Sequence, residues 1–83
     1  MEGWMVYHDL TSYRNKLKEV NALVKQHFPK INVAQDCFTY FIRSKWRFNI
    51  PSEKFLWCGE ASNGYDCRCK GWMAYLKHKG VEV

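Results

Sequence analysis

Between Phe55 and Trp72 the chain reads FLWCGEASNGYDCRCKGW, which holds three of its four cysteines beside two tryptophans and an Asn-Gly pair. Thiols gathered like this ligate a metal such as zinc, pair as disulfides, or stay protonated as small apolar fillers. Asn63-Gly64 bears on the choice. A type I′ hairpin turn needs positive φ at both central residues, which Asn tolerates and Gly accepts freely. A two-residue loop there pairs Ser62 with Tyr65 and, further out, Cys58 with Cys69. Side chains alternate along a strand, so Cys67 shares their face.

That register leaves the β-carbons of Cys58 and Cys69 about 4.5–5.5 Å apart, whereas a relaxed disulfide needs about 3.5–4.5 Å. Zinc accepts the wider spacing, because Zn–S bonds of about 2.3 Å in a tetrahedron let the sulfurs stand apart. Geometry therefore favours a structural zinc held by Cys58, Cys67 and Cys69, with His78 as the fourth ligand and Cys37 or His8 as alternatives to it. Disulfides and free buried thiols are the competing expectations. On the other face of the same hairpin, Trp57 stands across from Lys70 and Phe55 across from Trp72, with Arg68 nearby. Facing solvent, these rings and cations form a platform for single-stranded nucleic acid or an anionic protein surface; under a helix, the tryptophans are core.

A second mixture of rings and cations lies in DCFTYFIRSKWRFNIP, where Arg43, Lys45 and Arg47 interleave with Phe41, Trp46 and Phe48. Cations meet phosphates and rings stack on bases in nucleic-acid sites, although the same pattern arises when rings form core and cations snorkel outward. Cys37, Phe41, Ile42 and Trp46 keep helical spacing behind Asp36 as N-cap, while Phe38, Tyr40 and Ile42 alternate as a strand would. We read a helix over 36–48.

The clearest element precedes it. Leu10, Tyr13, Leu17, Val20, Val24 and Phe28 recur at steps of three and four, Asp9 or Thr11 can cap the start, and Pro29 ends the run. This predicts an amphipathic helix over about 10–28. Arg14, Lys18 and Lys25 line up on its polar side as a basic stripe or an ordinary solvated face. MVYH, near the start, reads as a strand or ordered arm, and WMAYLKHKGVEV extends the hairpin strand or forms a short helix ended by Gly80. We read the strand.

Thirteen Lys and Arg against eight acidic residues give a net charge of +5, which attracts polyanions or acidic proteins. No apolar run suits a membrane span or a signal peptide, so the expected location is cytoplasmic or nuclear, with a secreted, disulfide-stapled basic protein ranked behind. The chain has no phosphate-cradling glycine loop, nucleophile elbow or HExxH pair, and no motif sets a histidine beside a thiol; catalysis is not expected.

KFLWC followed by CRCKGW resembles the zinc-binding β domains of the WRKY and FLYWCH type and the related mutator-transposase fingers. The resemblance covers the last third and implies DNA binding through a sheet. Those families close their site with a late His-x-His or His-x-Cys pair, where this chain offers His78 alone, and the WRKY heptad is missing. No residue role is carried across.

The sequence thus predicts one small α+β domain over 1–83, with the 10–28 helix packed on a small antiparallel sheet containing the 55–72 hairpin. Binding of nucleic acid or of an acidic protein surface is its expected function, with zinc as the candidate cofactor.

Overall fold

Leu17, Val20 and Val24 are all buried, so the three-and-four spacing of the first segment does form a helix with an apolar stripe. The computed structural model describes residues 2–82, with side chains described from Leu10 onward. The first helix, α1, spans Glu2–His27 and stops before Pro29. It starts earlier than the caps Asp9 and Thr11 suggested, and MVYH lies inside it rather than in a strand or arm. The His8 side chain falls outside the described residues.

Asp36 does not cap a second helix. Its carboxylate accepts from Asn32 N at 2.8 Å, while Asn32 Oδ1 accepts from Ala34 N and Gln35 N at 3.0 and 3.1 Å, closing a compact loop that buries Val33 and Cys37. The chain then forms β1, Phe38–Ile42, and β2, Lys45–Ile50. The helix expected over 36–48 is this hairpin: the alternation of Phe38, Tyr40 and Ile42 prevails over the helical spacing. Its loop is Arg43-Ser44, with φ of 53° and 63°, so two residues with a β-carbon hold the left-handed conformations of a type I′-like turn. A 3-10 turn, Pro51–Glu53, leads to β3, Phe55–Gly59, which completes an antiparallel sheet of order β1-β2-β3.

Asn63-Gly64 starts a helix instead of turning a hairpin. Asn63 is extended, at φ −169°, and its Oδ1 accepts from Asp66 N at 2.9 Å. Asp66 returns the favour one residue upstream of a standard capping box, accepting from Ser62 N at 2.9 Å. Helix α2 then runs Gly64–His78. It ends in a Schellman motif: Gly80 at φ 84° donates to Lys77 O, and Val81 N donates to Leu76 O. The second hairpin strand and its extension into WMAYLKHKGVEV are therefore helical as far as His78, with Gly80 ending the helix as in the alternative reading of that tail, and of the expected 55–72 hairpin only β3 belongs to the sheet.

The α+β class stands: two helices pack on a three-stranded antiparallel sheet. Phe48 and Ile50 of the sheet, Trp72, Tyr75 and Leu76 of α2, and Leu17, Val20 and Val24 of α1 share one core. Trp72 meets Phe48 and Tyr75 edge to face, at centroid distances of 5.1 and 5.8 Å.

Candidate nucleic-acid interface

Alternation along β2 sends Phe48 and Ile50 toward the helices, with Trp46 half-buried on the same side, and sends Lys45, Arg47 and Asn49 the other way. Directly paired residues share a face, so the register extends this outer surface. Phe38 pairs with Asn49, Tyr40 with Arg47 and Ile42 with Lys45 on one side; Leu56 pairs with Asn49 and Cys58 with Arg47 on the other. The outer face is a basic and polar rail, Lys45-Arg47-Asn49, between two apolar ones. Exposures of 56% for Phe38, 41% for Tyr40, 49% for Ile42 and 53% for Leu56 show that, among the described residues, no element covers it.

Its charge is one-sided. None of its eight residues is acidic, and among the described residues no carboxylate forms an ion pair with Arg43, Lys45 or Arg47. Arg47 lies half-buried between Tyr40 and Cys58, with its Nε shielded from solvent and unbonded among the described groups. Arg43, at the hairpin tip beside Lys45, extends the positive edge. Both it and Ser44 occupy backbone conformations costing about 1–2 kcal/mol each, strain of the kind that gathers at binding sites.

Of the residues expected from the sequence, Arg43, Lys45 and Arg47 come together here. The platform expected from Trp57, Arg68, Lys70 and Trp72 does not form, because three of the four are helical. Trp72 is wholly buried, Trp57 is half-buried on the helix side of β3, and Arg68 is half-buried on α2. Lys70 bonds Glu60 O at 2.8 Å and Asp66 at 3.2 Å. Arg14, Lys18 and Lys25 are exposed on α1, with the Arg14 guanidinium 6.0 Å from the Tyr65 ring centre. Phe38, Tyr40, Ile42 and Leu56 were missed as surface residues; the available signal was β1 alternation in phase with Lys45, Arg47 and Asn49.

The four-ligand zinc arrangement does not assemble either. Cys58 is exposed on the outer face, Cys67 and Cys69 are buried on α2, and His78 sits at the far end of that helix against Phe55, with ring centroids 5.4 Å apart. Among the described residues no three His, Cys, Asp or Glu side chains are grouped to hold a metal. All four cysteines are free, and Cys67 Sγ lies 3.5 Å from Arg47 O. Burial pushes the thiols of Cys37 and Cys69 above their ordinary range and that of Cys67 up to about 11, which disfavours the thiolate. Among the described residues, no helix is long and apolar enough to cross a membrane. No protein-family model, curated protein or solved structure matches the chain.

Proposed function

We propose that this is a non-catalytic domain that binds single-stranded nucleic acid on the outer face of its sheet. The supporting observation is the outer-face row Tyr40-Arg47-Cys58 with Phe38 alongside, which sets a cation beside two exposed rings of β1, among eight residues none of which is acidic. Bases stack on the rings without regard to sequence, while Arg43, Lys45 and Arg47 meet phosphates. An open three-stranded face suits splayed bases, and duplex binding is expected to be weaker.

Fluorescence anisotropy with a labelled twelve-nucleotide thymidylate tests this. Three phosphate contacts give a salt slope of about −2 on logarithmic axes, so binding weakens roughly 20-fold from 50 to 200 mM salt. Tyr40→Ala and Arg47→Ala each weaken it about tenfold with the melting temperature largely preserved. Absence of binding at 50 mM salt would remove the proposal. The second reading is an acidic protein partner, favoured by Ile42 and Leu56, whose aliphatic side chains offer anchors but no stacking surface. In that case a nuclease-resistant protein partner is retained by the parent chain and released by Ile42→Glu.

A further inference from the structure

On the helix side of β3 lies a second basic feature. Lys16 of α1, Trp57 of β3 and Lys70, Met73, Ala74 and Lys77 of α2 line an open groove of about 320 Å³, near the lower end of the roughly 300–1,000 Å³ typical of small-ligand sites. Its floor is apolar and its rim carries three ammonium groups. Among the described residues no carboxylate lines it. Lys70 is partly occupied by Glu60 O and Asp66, but among the described residues neither Lys16 nor Lys77 forms an ion pair.

The Trp57 ring is placed by its neighbour. A β-carbon on Gly59 would come within 2.7 Å of the Trp57 ring, so the bare glycine lets the indole lie along its own strand and form one wall of the groove. Cys69 also lines the groove; burial raises its thiol pKa most, the Lys16 charge acts to lower it and the Asp66 carboxylate to raise it, so Lys16 lies close enough to act on the apolar floor.

We infer that this groove is a separate site for a nucleoside phosphate, with the base against Trp57 and Met73 and the phosphates held by Lys16 and Lys77, helped by Lys70. Flat aromatic rings stack on indole, and two to three phosphate charges match the cations on the rim. The site goes beyond the sheet-face reading and does not depend on it, because none of its residues lies on the outer face.

The test is titration of the uniformly ¹⁵N-labelled full chain with thymidine diphosphate, thymidine and inorganic pyrophosphate, following the Trp57 indole signal assigned through Trp57→Phe. Expected is a saturable shift with the diphosphate, at least tenfold tighter than with either fragment, and weakened at least fivefold by Lys16→Gln or Lys77→Gln. Tyr40→Ala leaves it unchanged, which separates this site from the sheet face. The phosphorylated end of a strand carries the same chemistry: tighter binding of thymidine diphosphate than of 5′-phosphorylated tetrathymidylate assigns the free nucleotide, the reverse order assigns the strand end, and either supports the groove. An unmoved Trp57 signal, pyrophosphate binding as tightly as the diphosphate, or full binding by the Lys16→Gln, Lys77→Gln double variant would overturn it.

Discussion

Gly71 of α2 lies against the ring of Phe48 of β2 so closely that a β-carbon built on Gly71 would fall 2.1 Å from Phe48 Cγ and 2.6 Å from its Cβ. The missing side chain is what lets the helix settle onto the central strand. Because Phe48 Cβ is fixed to the backbone, rotating the ring does not clear the space. Gly71→Ala is expected to cost about 2 kcal/mol through overpacking, despite the better helix propensity of alanine, and to lower the melting point by roughly 10 °C. Thermal denaturation of the parent chain and Gly71→Ala reads the loss directly, and an unchanged melting point would contradict it.

A hydrogen bond between Tyr75 and Glu53, at 2.8 Å, makes stability pH-dependent at both extremes. Burial first, and then the bond and charge of Glu53, push the Tyr75 hydroxyl up to about 12. A raised pKa means that this contribution is complete below the ordinary tyrosine value near 10 and is lost as pH climbs toward 12. Glu53 is displaced the other way, chiefly by the Tyr75 bond and then by Lys79; its contribution is present above the ordinary carboxylate value and is lost as pH falls below it. Urea midpoints for the parent chain and Tyr75→Phe should differ by a constant amount from pH 6 to 9, draw together above pH 10 and converge toward pH 12. A gap that stays constant to pH 11 would contradict this.

Thiol chemistry separates the cysteines. Cys58 is exposed, whereas Cys37, Cys67 and Cys69 are buried with raised pKa values. A thiol-reactive chromophore at pH 8 should label one cysteine promptly in native protein and four after denaturation. Cys58→Ser removes the prompt phase, and bound single strand slows it if Cys58 lies beneath the bases on the sheet.

On the proposed binding mode, the Arg43-Ser44 turn couples stability to oligonucleotide affinity. Ser44→Gly relieves a left-handed non-glycine residue and should add about 1 kcal/mol, leaving oligonucleotide affinity unchanged. Arg43→Gly gives similar stabilisation but weakens binding by roughly threefold to fivefold, because it removes one phosphate-facing cation. Melting curves and anisotropy on the same two variants check both halves.

The same turn shows how far sequence reading reaches. The apolar stripe of α1 is legible because Leu17, Val20 and Val24 meet a helical period that no strand pattern imitates. Arg43-Ser44 carries none of the usual marks of a two-residue loop, so the β1-β2 hairpin was hidden behind the helical spacing of Cys37, Phe41 and Ile42. Asn63-Gly64 misleads in the opposite direction, since the amide that permits a left-handed turn is also a good helix N-cap. Only the answering carboxylate of Asp66, three residues on, distinguishes the two. That single choice carried the cysteine register and the proposed zinc with it, whereas the cations Arg43, Lys45 and Arg47 were identifiable from local composition.

Each strand of the sheet pairs with its neighbour in the chain, through one two-residue loop and one short 3-10 turn. The outer face is thus assembled entirely from adjacent stretches of chain, with small loop-closure entropy at each step. The long-range closure in this fold is the meeting of α1 with α2 across the intervening meander. The Lys45-Arg47-Asn49 rail and the rings of β1 beside it therefore take their alignment from local pairings, and the distant contact between the two helices braces the sheet from its other face.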